Sequence, residues 1–428
     1  MNTFGHVIKF ERIRQNIKQV KLADGICTPS YLSKIESNSI VPSEEILGLL
    51  FERLSIKAVQ QDISEVEYFQ YVKNVYFEAI AKKNTPEISL KLNDILKTSY
   101  LFENSSYFYT YQLLIMRLKL FVHNIKHDST DYITTISKIV LEFDNYQLFL
   151  FHNSVGYYHL AKNDLVSSTV SFEKGTALIS SIDLDEREIA DISYILSSVL
   201  LLNKRLIAAL EYNTKALYYF NKELLYFRSI ECYIIRALIY KNAMNPEKAY
   251  EYLKLAETIS KKHNSYENLS LIYINLANTF VVKKNVKKSI EYYKKSMQIA
   301  HDSRVVLTCI YSIVLENSKL NETNEVLYWS KKGLALYKND PADNLTHLYH
   351  HLTCFISLNE KSVSFEEDVK NAINYFLHMK DYRHTHRYYL LLSNFFHSEK
   401  KYKTSVKYYK LANKYLAIKE KWQFIEDL

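Results

Sequence analysis

The sequence predicts an all-α protein, with a short module of small helices at the N-terminus followed by a long array of helix pairs. Three observations carry this prediction. Only 6 Gly and 5 Pro occur in 428 residues, too few turn formers for the many tight connections of an all-β fold. Apolar side chains recur at three- and four-residue spacing. Small residues return about every forty positions, at Gly175, Ala216, Ala256, Ser296, Gly333, Ala372 and Ala412, with successive spacings of 41, 40, 40, 37, 39 and 40 residues.

A chain of this length exceeds a single core, so several domains or a repeat array are expected. With 48% hydrophobic and 24% charged residues it is a folding composition rather than a disordered one. No apolar run approaches the ~20 residues that span a bilayer. The charged start "MNTFGHVIKFERIR" lacks the apolar centre of an export signal. Cys27, Cys232, Cys309 and Cys354 are far apart and form no CxxC pair, which argues against a disulfide framework or zinc site and fits a reducing compartment. A cytoplasmic protein without membrane contact is the expectation. Residues 1–34 hold six basic against two acidic residues, a local excess of four that is compatible with phosphate contact.

The first helix is expected near Phe4–Gln15, with Phe4, Val7, Ile8 and Ile13 inward, and the second near Lys18–Asp24, with Val20, Leu22 and Ala23 for packing. Gly25 permits a sharp turn. Thr28 and Pro29 start a third helix, the threonine as cap and the proline at the first helical position. Leu32 and Ile35 point inward there, leaving Ser30, Tyr31, Ser33, Lys34 and Ser37 outside. Asn38 closes this helix. Pro42-Ser43 opens a fourth, with Ile46, Leu49, Leu50 and Leu54 inward. A helix, a tight turn and a second helix with an outward polar face form a helix-turn-helix, whose second helix enters the major groove. The alternative is that residues 1–57 merely cap the array behind them. Cys27 is read as a packed turn residue rather than a redox sensor.

Through "FGHVIKFER" (Phe4–Arg12) and "LSKIE" (Leu32–Glu36) this stretch resembles the Cro/lambda-repressor-type (XRE) class. The resemblance implies an ion pair between Arg12 and Glu36, and Gln19 against a DNA phosphate. Thr28, Ser30, Tyr31, Ser33 and Lys34 complete the expected contact set on double-stranded DNA. The spacing from "LA" to "LSKIE" is one residue shorter than the general pattern. That "LAxGIC…SYLSKIE" variant is similar to the peptide-sensing regulators of the NprR/PlcR/Rgg group. The outer face lacks Arg–guanine or Gln–adenine readers, so specificity is expected from DNA shape or from two promoter half-sites read by a homodimer or higher oligomer.

In the array, Gly156, Ala237 and Ala277 precede Gly175, Ala256 and Ser296 by 19 residues, and Ser168, Ala249 and Ser289 follow the first set by 12. Two helices per unit, touching closely where side chains are small, account for this pattern. The offsets match the tetratricopeptide (TPR) repeat, although its usual period is about 34 residues. At least six degenerate pairs are expected between 145 and 418, with a weaker pair or two in 70–144. The resemblance implies a right-handed superhelical, TPR-like α-solenoid. The 37 Tyr serve mainly as interhelical filler. The predicted division is 1–57 for DNA binding, 58–70 as linker and 71–428 for peptide binding and dimerisation.

Carried over from the TPR pattern, groove-facing positions are Asn153, Tyr194, Lys241, Asn242, Asn278, His350 and Asn394. An asparagine amide offers the donor and acceptor that match a peptide backbone unit, and the resembling family is known for such clamps. Asn153 and Asn278 are the preferred clamps, with Arg117 and Arg236 as partners for a peptide carboxylate. His347, His350 and His351 have helical spacing for a metal, but no nearby carboxylate completes a site, and His384 and His386 cannot be placed. No metal or cofactor is expected. No GxGxxG, GxxxxGK[ST] or GxSxG motif is present, and "KKNVKK" reads as a solvated turn, so an enzyme is not expected. The reading is a transcription regulator controlled by a short secreted signalling peptide. The alternative is a scaffold holding a phosphorelay response regulator, possible alongside the first role.

Overall fold

The computed structural model describes residues 4–56, 63–83, 85–98, 102–122, 128–341 and 343–420. Among these residues every regular element is helical, as predicted. The helices are α1 (Gly5–Arg14), α2 (Gln19–Ala23), α3 (Pro29–Glu36), α4 (Glu44–Arg53), α5 (Glu65–Lys82), α6 (Pro86–Thr98), α7 (Ser105–Val122) and α8 (Asp128–Ser137). They continue as α9 (Asn145–Ala161), α10 (Leu165–Ala177), α11 (Glu186–Leu202), α12 (Leu206–Lys222), α13 (Tyr226–Asn242), α14 (Pro246–Lys262) and α15 (Tyr266–Val282). The last are α16 (Val286–Ile299), α17 (Ser303–Lys319), α18 (Thr323–Asn339), α19 (Thr346–Asn359), α20 (Phe365–His378), α21 (Tyr382–Ser398) and α22 (Tyr402–Glu420). The chain divides into two compact units, Met1–Asn245 and Pro246–Leu428.

In the first unit, α1 to α4 close around Phe4, Val7, Ile8, Leu22, Ala23, Leu32, Ile35, Leu50 and Leu54, all buried. Two inward expectations fail. Leu49 is exposed, because α4 buries Ile46, Leu47, Leu50, Phe51 and Leu54 to some degree, a face centred one side of Leu50 that turns Leu49 outward. Val20 is also exposed, since the five-residue α2 buries only its Leu22 and Ala23 side.

The expected linker is shorter than 58–70. Residues 58–62 lie outside the described residues, but α5 already starts at Glu65. Ser64 accepts from the Glu67 amide while the Glu67 carboxylate accepts from the Ser64 amide, a capping box that satisfies two orphan donors at once. The N-terminal module is not set apart either, because α1 packs on α7 and α8.

The small residues behave as predicted. Ala216, Ala256, Ser296, Ala372 and Ala412 are fully buried, as are Ser168, Ala249 and Ser289. A Cβ added to Gly156 would stand 2.8 Å from the Phe172 ring, and one on Gly333 would stand 2.7 Å from Leu352. Helices approach closely at these points because nothing projects between them. The turns explain how so few glycines suffice. Lys204, Leu224, Met244, Asn264 and Lys284, each twenty residues apart, hold φ between 53° and 59°. After each, an amide reaches back across the turn, as from Arg205 N to Leu200 O at 2.9 Å and from Leu225 N to Phe220 O at 2.8 Å. This is the left-handed helix ending that glycine usually supplies, built here from side-chain-bearing residues.

In the second unit, Ile310, Ile313, Val314, Trp329 and Leu352 form one buried cluster. Phe365, Val369, Phe376, Leu392 and Phe396 form another.

Candidate functional site

The N-terminal module presents a helix by the means the sequence indicates. The Thr28 hydroxyl accepts from the Tyr31 amide at 3.2 Å, and Pro29 occupies the first turn of α3. Gly25 takes φ +71° in the turn before it, and Asn38 ends the helix at φ 56°. The Arg53 guanidinium donates to the carbonyls of Leu22 and Asp24, tying α4 to the turn between α2 and α3.

Arg12 and Glu36 form a bidentate pair between α1 and α3, Nε to Oε1 at 2.5 Å and Nη2 to Oε2 at 2.8 Å. Gln19 Nε2 donates to the same carboxylate at 2.7 Å. Gln19 is thus turned toward Glu36 through one of its two amide N–H donors, which leaves the other for the expected phosphate contact. The bidentate geometry fixes the roll of α3 against α1. On the far side Thr28, Ser30, Ser33 and Lys34 are exposed and Tyr31 is half-buried, so these five share an outward surface. Lys18 and Lys21 are exposed nearby. Cys27 is half-buried at the edge of the core, and burial pushes its thiol pKa up, which disfavours the reactive thiolate.

The groove candidates divide sharply. Asn153 is 3% exposed, and its Oδ1 lies where a Cβ of Gly175 would approach to 2.6 Å. It sits in the α9–α10 contact, where Gly175 leaves it room, and its buried Oδ1 has no hydrogen-bond partner. Arg117 is likewise buried, paired with Asp191 at 2.9 Å and lying over the rings of Phe121 and Tyr157. Asp191 also pairs with buried Arg228 at 2.9 Å, whose Nη1 donates to Ile80 O of α5 at 2.7 Å. Lys83, just past α5, pairs with Glu231 of α13 and lies over Tyr194. The helix α5 packs against α7, α11 and α13. It covers the faces on which Arg117 and Tyr194 were expected to meet a peptide.

Other candidates remain at the surface. Asn242 is exposed and Lys241 half-buried at the end of α13, the Asn242 amide donating back to Leu238 O. Arg236 is half-buried and donates to Asn213 Oδ1 at 2.9 Å and Thr214 Oγ1 at 2.7 Å. In the second unit, half-buried Asn278 accepts from the Tyr293 hydroxyl at 2.6 Å, His350 lies beside the Tyr375 ring and Asn394 is exposed.

The network around Asp191 was not foreseen. One signal for it exists in the sequence, a lone charge, Asp191, inside the otherwise uncharged "IADISYILSSVLLL" of α11, which must find a cation if buried. The histidines of α19 pack with rings. His351 lies between Tyr311 and Phe376 and contacts His384, and its Nδ1 meets the Tyr388 hydroxyl at 2.5 Å. Among the described residues no group of three or more His, Cys, Asp or Glu is placed to hold a metal. No described helix is long and apolar enough to cross a membrane.

Residues 8–59 match the helix-turn-helix family model HTH_3. Over 404 residues the chain is 26% identical to the transcriptional activator NprA of Geobacillus stearothermophilus, covering 92% of this chain and 98% of that protein. It is 24% identical over 210 residues to response regulator aspartate phosphatase A of Bacillus subtilis (strain 168), covering 48% of this chain and 54% of that one. Among solved structures, the apo form of the quorum sensor NprR from B. thuringiensis superposes with a TM-score of 0.69 at 16% identity, covering 82% of this chain and all of that one. NprR in complex with its cognate peptide NprX gives 0.56 at 16% identity, covering 83% and 99%. The chain therefore carries an XRE-type helix-turn-helix at its N-terminus, has the helical-repeat fold of NprR, and is similar over nearly its whole length to the transcriptional activator NprA.

Proposed function

We propose that this chain regulates transcription by binding DNA through α3, under the control of a short signalling peptide bound by the repeat body. The observation that carries the first half is the exposed row Thr28, Ser30, Ser33 and Lys34 on a helix whose roll is locked by the Arg12–Glu36 pair. Hydroxyls and one cation are suited to phosphate and base-edge contact, and the absence of a bidentate reader favours two half-sites bound by two copies of the chain. The second half is supported by the likeness to NprA and to NprR, which is known with its peptide NprX. Within the first unit, Asn153 and Arg117 are packed inside, while Asn242 is exposed and Lys241 half-buried at the end of α13, free to meet a peptide backbone.

Gel shifts on a promoter duplex test the first half. Lys34→Ala is expected to weaken binding across sequences and to lower the salt slope by about 1, as for loss of one phosphate contact. An unchanged slope and affinity in both Lys34→Ala and Tyr31→Ala removes α3 from the interface. For the second half, calorimetry with candidate secreted peptides is expected to show weaker binding in Asn242→Ala.

A second reading, a body that holds a response regulator, is favoured by the match to response regulator aspartate phosphatase A. It coexists with the first. Binding of a receiver domain by wild type and by Lys34→Ala with equal affinity would place that contact away from α3.

A further inference from the structure

His6 lies in α1 and is 1% exposed. Its two ring nitrogens face in opposite directions. Nε2 lies 2.8 Å from the carbonyl of Phe102, which precedes α7 in the body. Nδ1 lies 3.3 Å from Asn38 Nδ2, at the end of α3. Because a carbonyl only accepts, Nε2 carries the proton and Nδ1 accepts from the asparagine amide. Asn38 Oδ1 in turn accepts from the Gly5 amide at 3.0 Å. One imidazole thus links the end of the reading helix to the body, a span of 96 residues from His6 to Phe102.

The surroundings reinforce this link. The His6 ring packs against Phe108 and Tyr109 of α7, with centroids 5.1 and 6.2 Å away. One turn further along α1, Lys9 pairs with Glu142, which also accepts from the Tyr109 hydroxyl. Phe10 meets Phe108 and Tyr132 edge-on. A Cβ on Gly5 would fall 1.8 Å from the Ile35 carbonyl, so α1 and the end of α3 are in direct contact. None of these groups lies on the outward face of α3.

We propose that His6 is a positioning residue for DNA recognition, joining Phe102 of the body to Asn38 at the end of α3 so that the pose of the reading helix follows the body. The proposal rests on the DNA-binding reading above. It separates two tasks within the module. Residues 28–34 meet DNA, while His6 sets the direction in which they point. For two copies of the chain on two half-sites, a shift of the body would then change the spacing between reading helices without altering either reading face.

The test uses full-length protein carrying nitroxides at Ser33→Cys and Lys174→Cys, with Cys27→Ala, and reads their distance distribution by pulsed dipolar spectroscopy. His6→Ala is expected to broaden that distribution at least about twofold, with exchange of the α1 amides that face α7 rising about tenfold. Asn38→Gly accepts the same positive φ and leaves the His6 ring and its bond to Phe102 in place, so it cuts only the α3 end of the link, with the Gly5 bond, and is expected to broaden the distribution as well. An unchanged distribution in Asn38→Gly, with His6→Ala either unchanged or unfolded, overturns the proposal. In parallel, unlabelled variants are titrated with a duplex of about 20 base pairs selected from random sequence by the wild type and trimmed to one half-site. Affinity within twofold of wild type supports positioning. A tenfold loss on the single half-site for Asn38→Gly assigns the pair to folding of the reading face and overturns it. If wild type selects no duplex, the DNA-binding reading fails, while the distance measurement still reports whether His6 sets the pose.

Discussion

Glu188 is buried in α11 with its Oε1 accepting from the Tyr146 hydroxyl at 2.9 Å. Burial pushes its carboxyl pKa up to about 7, against the lowering effect of that hydrogen bond and of Lys73. The folded protein therefore holds this proton to a higher pH than the unfolded chain does. Stability is lost as pH rises from the unfolded value near 4.5 through 7. Glu188→Gln keeps an oxygen for Tyr146 and cannot ionise. It is expected to gain about 3 kcal/mol at pH 8 and almost nothing at pH 4, read from urea unfolding at both values. His351 has the opposite sign. Burial among rings, with His384, His347 and His350 nearby, holds its pKa down to about 3. Its contribution is complete above 6.5 and falls with acidification, by on the order of 3 kcal/mol at pH 4. His351→Gln is expected to flatten the acid limb of the stability profile. An identical limb in both proteins would show that His351 does not control it.

At the scale of the element, between Lys204 and Lys284 the forty-residue period consists of two twenty-residue half-units, each a helix and a left-handed turn. Leu224 carries a side chain at φ 53° and is exposed. The left-handed region costs an L-residue about 1 kcal/mol relative to glycine. Leu224→Gly is accordingly expected to raise stability by about 0.5 kcal/mol after its greater unfolded-state entropy is subtracted, measured as a higher melting temperature. Gly175→Ala should act in the other direction, costing about 1–3 kcal/mol through the Asn153 clash. Asn153→Ala in the same chain should relieve most of that cost, since the pair share one space. Strict additivity would return Asn153 to the groove.

The contrast between these positions shows what the sequence makes legible. A small residue at a helix crossing is required by its immediate neighbours one turn or one helix away, so Gly156, Ser168 and Gly175 reveal themselves by spacing. The caps at Thr28 and Ser43 are equally local. Asn153 is less legible because a helical repeat has two buried sides, and periodicity alone does not say whether an asparagine looks toward its partner helix or toward the groove. For Arg117 the reason is different. What covers it, α5, is set by contacts between residues far apart in the chain, and no spacing rule carries that information.

Within the first unit as a whole, the placement of α5 depends on charges that are buried together. Arg117 and Arg228 both pair with Asp191, while Arg228 reaches the backbone of α5 and Lys83 reaches Glu231. Removing one member of such a set leaves the others desolvated and uncompensated, which costs about 3–5 kcal/mol, whereas the intact set is worth far less than its Coulomb energy. Asp191→Ala takes a carboxylate from two guanidinium groups at once, leaving Arg228 with Glu231 and the Ile80 carbonyl, and is the severe case. It is expected to destabilise the chain by that amount and to speed amide exchange first in α5, which is held to α11 and α13 partly through these side chains. Asp191→Asn keeps the shape and one acceptor but loses the charge, so it separates packing from electrostatics. If the network holds α5, the asparagine variant exchanges faster in α5 than in α9 and α10, whose contact is apolar around Gly156 and Phe172. Equal exchange across these helices would mean that aromatic packing at Tyr68, Tyr76 and Phe77 holds α5 by itself. A peptide aimed at Tyr194 would then face an apolar barrier rather than an ionic one.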